Sequence, residues 1–382
     1  MKLLAARLGG VGGLRGREAV LFVGTAVLVA SCASGGPPVF GATEPSPERT
    51  RAMIAQSIPG NVSDRAGWVT DIYSGFTVQG LAPTHANVCA VVAVIEQESN
   101  FQVNTVVPGL GVIAWKEIDK RAEHAGLPRM VVHAALGLKS SDGRTYSERI
   151  DAAKTEKDLS DVYEDFIGSV PLGQRLFADW NPVRTRGPMQ VNVAYAESYA
   201  AVRPYPYPVK VSIADELFTR RGSLYFGIAH LLAYQPPYNG YLYRFADFNA
   251  GQYSSRNAAF QNAVSKAAGV PLVTDGALLS HEGGPSNTEL ALRALAGRLN
   301  VSEGDIHAAL EQGKSKDLEH NRVYERVFEL AERVAKRPLP RALVPTITLH
   351  GPKLSRTLTT SWYAHRVEGR YEKCLGKPEG VR

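Results

Sequence analysis

Apolar positions recur at spacings of three and four over most of residues 49–340, which predicts a mainly α-helical fold. Helix-compatible spacing runs through Arg49–Ile58, Asp64–Tyr73, His85–Asn100, Val112–Ala125, Lys157–Ile167 and Ile213–Tyr234. Gly126 stands where a glycine would end the fourth of these helices. Ser286–Leu299 and Ser302–Gln312 read as a helix pair with serine starts. Lys316–Arg337 reads as a long charged helix whose apolar stripe is Leu318, Val323, Val327, Leu330 and Val334. The stretch from Cys89 to Ile95 is apolar nearly all round, so it predicts a buried central helix. Beyond Leu343 the pattern changes. Thr346–Leu349 and Thr357–Trp362 are β-prone, and the tail to Lys377 reads as a small strand or wrapping element.

The N-terminus follows a different rule. Lys2, Arg7, Arg15 and Arg17 precede an apolar segment, Ala19–Ala30, of signal-peptide length and too short for a typical spanning helix. The segment closes on Val29-Ala30-Ser31-Cys32, which has the form of a bacterial lipobox. That form implies removal of residues 1–31 and lipidation of Cys32. Stable anchoring needs more than one acyl chain, and bacterial lipoproteins resemble that solution. Ala33, not Asp, follows the cysteine, so resemblance to Gram-negative sorting directs the protein to the outer membrane. The alternative is an ordinary secretory signal with an incidental cysteine. Residues 32–48, rich in Gly, Pro, Ser and Ala, read as a flexible tether.

Charge and cysteine count narrow the chemistry. The mature chain would carry a formal charge of +3, compatible with an anionic wall polymer and too weak to argue for nucleic acid. Cys89 and Cys374 remain after processing. In an oxidising compartment they are a candidate disulfide, and the alternative is a free Cys89 buried in its apolar run. There is no CxxC, no HExxH, no GxSxG and no complete phosphate-binding loop, and the histidines are dispersed. No metal or cofactor is expected.

The candidate chemistry lies at the end of the central helix. Val91, Val94, Ile95 and Glu98 share one helical face. A carboxyl that leaves a core helix on its apolar side is desolvated, which suits a general acid working near neutral pH. Glu98-Ser99-Asn100-Phe101 resembles the Glu-Ser-x-Phe motif of soluble lytic transglycosylases, in the lysozyme superfamily. Gly187-Pro188-Met189-Gln190 resembles that family's Gly-Leu-Met-Gln motif, and Phe248-Asn249-Ala250-Gly251 its Tyr-Asn-Ala-Gly motif. The mature chain also resembles a family of bacterial lipoproteins carrying a domain of unknown function.

The transglycosylase resemblance implies a lysozyme-like helical domain over residues 49–340. It also implies cleavage of peptidoglycan between N-acetylmuramic acid and N-acetylglucosamine, with Glu98 as the single acid/base. Ser99, Met189, Gln190, Phe248 and Asn249 would then contact or orient the sugar. Tyr234, Tyr238, Tyr241, Tyr243 and Phe245 are further aromatic candidates for sugar contact. Glu96 and Asp247 are alternative carboxylates, read as structural or exposed. The chain departs from the family at Pro188 and Phe248. It also carries an extra stretch, about 102–186, read as a helical insertion that could cover the cleft. Residues 341–382 form a C-terminal extension outside the resemblance. These departures keep a second reading open: a non-catalytic envelope module that binds glycan or a protein partner, with Glu98 a structural carboxylate paired to an arginine such as Arg186.

Overall fold

The apolar run from Val88 to Ile95 is completely enclosed, and the fold is built around it. A computed structural model describes residues 46–170, 181–280, 283–349 and 357–376. Cys32, the signal segment and nearly all of the tether lie outside the described residues.

The chain is mainly helical. α1 (Pro47–Ser57), α2 (Arg65–Thr77) and α3 (His85–Glu98) come first. α4 (Leu110–His124), α5 (Arg129–Leu136), α6 (Tyr146–Ala152) and α7 (Glu156–Ser169) form the segment read as an insertion. A hairpin of β1 (Thr185–Arg186) and β2 (Val191–Asn192) pairs Thr185 with Asn192 and Arg186 with Val191. It leads into α8 (Val193–Val202), the short α9 (Ile213–Glu216), α10 (Arg220–Leu232) and α11 (Tyr241–Ala250). α12 (Ser254–Ala268), α13 (Asn287–Leu299), α14 (Glu303–Glu311) and α15 (Arg322–Ala335) follow. A second hairpin, β3 (Thr348–Leu349) with β4 (Leu358–Thr359), runs directly into α16 (Thr360–Leu375).

Local chemistry sets the boundaries. Thr84 caps α3 by accepting from the Asn87 amide, and Thr145, Thr155 and Ser302 each build a reciprocal capping box. Gly126 sits in the left-handed region just after α4, as its position predicted.

Three cores hold the elements. The main one joins α1–α3 with Met189, α10, α11 and the inner face of α16. A second core unites α12 to α15. A third belongs to the 102–186 segment, where Leu110, Leu136, Tyr146, Ile150 and Val162 enclose one another with Phe218 from outside it.

Three sequence expectations need correction, and α12 was not anticipated. Ile213–Tyr234 is two helices, because Thr219 ends one turn and caps the next by accepting from the Gly222 amide. Lys316–Arg337 splits into a 3-10 turn (Lys316–His320) and α15, whose Val334 is about half exposed and not part of the stripe. The β-prone tail contributes only two-residue strands, and Thr360 onward is a helix buried along one face. α12 gave no amphipathic signal because Arg256, Asn257 and Gln261 are buried with its apolar residues.

Candidate functional site

α3 and α16 lie antiparallel. A disulfide joins Cys89, near the start of α3, to Cys374, near the end of α16, with Cα atoms 5.4 Å apart. At the other end of the pair, the Tyr363 hydroxyl donates to Glu98 Oε1 at 2.5 Å. Glu98 is half-buried and Tyr363 buried. Burial, and then the neighbouring Glu98 charge, hold the Tyr363 phenol well above its ordinary pKa. The phenol therefore stays protonated and is the donor in this bond. One turn earlier, Thr360 Oγ1 donates to Asn249 Oδ1 at 2.9 Å. The first turn of α16 thus engages a residue from each of two motifs.

The remaining motif residues occupy the same region in other roles. Ser99 ends α3: its amide and hydroxyl both donate to the Ile95 carbonyl, so its hydroxyl proton is held by the helix end. Asn100 and Phe101 continue in the left-handed region, and Phe101 turns back to pack edge-on against Trp68.

Gly187-Pro188-Met189-Gln190 is the turn of the β1–β2 hairpin. Gly187 has φ +73, and a side chain there would collide with the Leu217 carbonyl, so only glycine fits. The Gln190 amide donates to the Gly187 carbonyl at 2.9 Å, which puts Pro188 at the second position of the turn, where its fixed φ is favourable. Met189 is fully buried beneath Gly227, with its amide donating to Ser223 Oγ, and does not face a cleft. Gln190 accepts from Thr185 Oγ1 at 2.8 Å and donates to Glu156 Oε2 at 3.1 Å. The 102–186 segment therefore meets the second motif through Glu156.

Phe248 is buried beside His230, whose Nε2 donates to the Phe248 carbonyl at 3.2 Å. His230 Nδ1 has no hydrogen-bond partner among the described residues. Burial pushes the His230 pKa down to about 4, only partly offset by that carbonyl, so the ring is neutral at pH 7.

The alternative carboxylates are structural. Asp247 is fully buried and accepts from Tyr234 (2.8 Å), Tyr238 and the Ser255 amide (2.7 Å). Burial raises its pKa while those three donors pull it back. Glu96 pairs with Arg370 at 3.6 Å. Arg186 does not reach Glu98; it pairs with Glu164 and Asp215 and stacks over Phe218. Among the other aromatic candidates, Phe245 is core, and Tyr241 stacks on Tyr371 of α16 while donating to Asn87. The described His/Cys cluster with metal-like spacing, His85-Cys89-Cys374, has both sulfurs in the disulfide.

Sequence reasoning missed Tyr363, Thr360 and Glu156. A signal for the first two was present: Thr360, Tyr363, Ala364, Val367, Tyr371 and Cys374 recur at three and four, but the β-prone Thr357–Trp362 masks the start of that stripe.

The arrangement presents a half-buried glutamate at the end of a core helix with a buried phenol on one carboxyl oxygen, while Asn249 and Gln190 are each hydrogen-bonded within the chain. Neither described surface cavity includes Glu98; one runs along the outer face of α16 and the other lies between Gln235–Pro237 and Lys316–His320.

Comparison with known proteins places this geometry in a family. The chain is 48% identical over 352 residues to "Uncharacterized protein YaiW" of Escherichia coli (strain K12), covering 92% of this chain and 96% of that one. No solved structure matches. Residues 61–377, from α2 through α16, match the family described as "Protein of unknown function (DUF1615)", and the chain belongs to that family.

Proposed function

We propose that this is a lipid-anchored cell-envelope protein, attached through Cys32, whose lytic-transglycosylase-type site is a closed, non-cleaving module directed at peptidoglycan glycan. The observation that carries this reading is the Tyr363 hydroxyl on Glu98 at 2.5 Å. A general acid must reach the glycosidic oxygen at hydrogen-bond distance. Here one of the two carboxyl oxygens, Oε1, is held by a buried phenol of the last described helix, and Asn249 is engaged by Thr360 of the same helix. A lysozyme-like arrangement of the helices around α3, and placement at the outer membrane, belong to this proposal.

A second reading, an active transglycosylase, is favoured by one observation. Phe101, Met189 and Phe248, one from each of the three motifs, pack in one core with the apolar run that ends at Glu98. In that reading the first turn of α16 opens while Cys374 stays tied to Cys89, Glu98 protonates the leaving oxygen, and the same carboxylate then takes the proton of the muramyl hydroxyl as the anhydro ring closes.

Purified sacculi separate the two. Protein starting at Ala33 is incubated with them, beside Glu98→Gln and Tyr363→Phe, and products are read by mass spectrometry and binding by co-sedimentation. The proposal expects all three proteins to co-sediment and the parent to release no muropeptides. Anhydromuramyl products from the parent, absent with Glu98→Gln, would establish the enzyme instead. Neither binding nor products from folded protein would sink both readings.

A further inference from the structure

The insertion ends in an apolar tip that the glycan site does not use. α5 fully buries only Leu136. Met130 is 81% exposed and Val131 58%, and the flanking Leu127 and Leu138 are 45% and 63% exposed. Isolated exposed apolar side chains are ordinary, but four on one eight-residue helix and its two turns make a patch that marks an interaction surface. The tip is held in place. His133 bonds Asp119 at 2.7 Å and stacks on Trp115, and Arg129 reaches Glu123, so α4 and α5 present the patch as a braced helical pair.

We propose that this tip, Leu127–Leu138, is a membrane-contact surface that seats on anionic lipid. Charge supports lipid as the occupant. The acids of α4 are engaged locally: Glu117 with Arg121, Asp119 with His133, and Glu123 with Arg129. Lys116, Lys120 and Lys139 are exposed on the same segment. Apolar side chains beside lysines are the composition of an interfacial helix, whereas protein interfaces are depleted in lysine and rich in Tyr, Trp and Arg. Neither described cavity touches the tip, and a bilayer demands no shaped pocket.

The lipid anchor of the proposed function, on which this point rests, supports it as well. One membrane signal binds marginally and a second stabilises the attachment.

The test uses unlipidated protein starting at Ala33 and vesicles of phosphatidylcholine with or without phosphatidylglycerol, read by co-sedimentation at low and high salt. Binding should require phosphatidylglycerol and weaken with salt. Met130→Asp/Val131→Asp should weaken it by about tenfold or more, because two apolar insertions become charged. Both positions are exposed in the first turn of α5, where acidic residues are favourable, so the variant folds. Lys116→Glu/Lys120→Glu should remove the preference for phosphatidylglycerol. Equal binding by parent and variants, or none by the parent, overturns the proposal. So does parent self-association that the Asp pair abolishes without vesicle binding, which would assign the face to a second copy. Sacculus binding is read separately, so either proposal can fail alone.

Discussion

At the scale of single residues, burial decides protonation. Tyr363 keeps its proton because enclosure and the Glu98 charge both disfavour the phenolate. His230 is the opposite case: enclosure disfavours the imidazolium, and its pKa falls to about 4. In the unfolded chain that ring titrates near its ordinary value of about 6.5. Between these values the unfolded state binds more protons, so stability falls as pH drops from about 6.5 to 4 and levels off below. The contribution is on the order of 3 kcal/mol. Urea melts at pH 7 and pH 4.5 should show a drop that shrinks in His230→Gln; an unchanged difference between the two proteins would refute the assignment. Glu98, at the end of a core helix, was legible from its spacing to Val91, Val94 and Ile95. Its partner was not, because Glu98 and Tyr363 are separated by 265 positions and no local pattern reports their contact.

At the scale of elements, helices with one apolar stripe were readable and helices buried on several sides were not. α3 and α10 are exceptions: the enclosed part of α3 is uniformly apolar and could only be central, and α10, buried on most sides, was read within Ile213–Tyr234. α12 carries buried Arg256, whose guanidinium donates to the Gly313 and Ser315 carbonyls, so a polar residue occupies a core position. α16 depends on partners distant in sequence: α3 packs along it, α11 lies against it, and Cys374 ties it to Cys89. The bridge spans 285 residues, so removing it frees a long loop in the unfolded state. Cys89→Ala/Cys374→Ala should cost about 2–5 kcal/mol by denaturant melt. Hydrogen exchange should show the amides of α16 opening before those of α3. Protection of α16 equal to that of the parent would show that packing alone fixes the helix.

At the scale of the whole molecule, the C-terminal extension is a wall of the main core. Thr360, Tyr363, Ala364, Val367 and Cys374 are buried there. Burying a large apolar side chain contributes about 1.5–3 kcal/mol, and whole domains are stable by only about 5–15 kcal/mol. A chain ending at Thr359 should therefore lose its cooperative thermal transition in circular dichroism. An unchanged transition would make α16 an appendage. The sequence alone determined the helical class, the central helix, the helical character of residues 102–186 and the place of Glu98 at the end of the central helix, because periodicity and burial of apolar runs are local properties. Only the tertiary structure decided that the tail is a helix, that Cys89 meets Cys374, and that Tyr363 and Thr360 close on Glu98 and Asn249. Those are pairings between distant segments, fixed by which faces a chain can bury together.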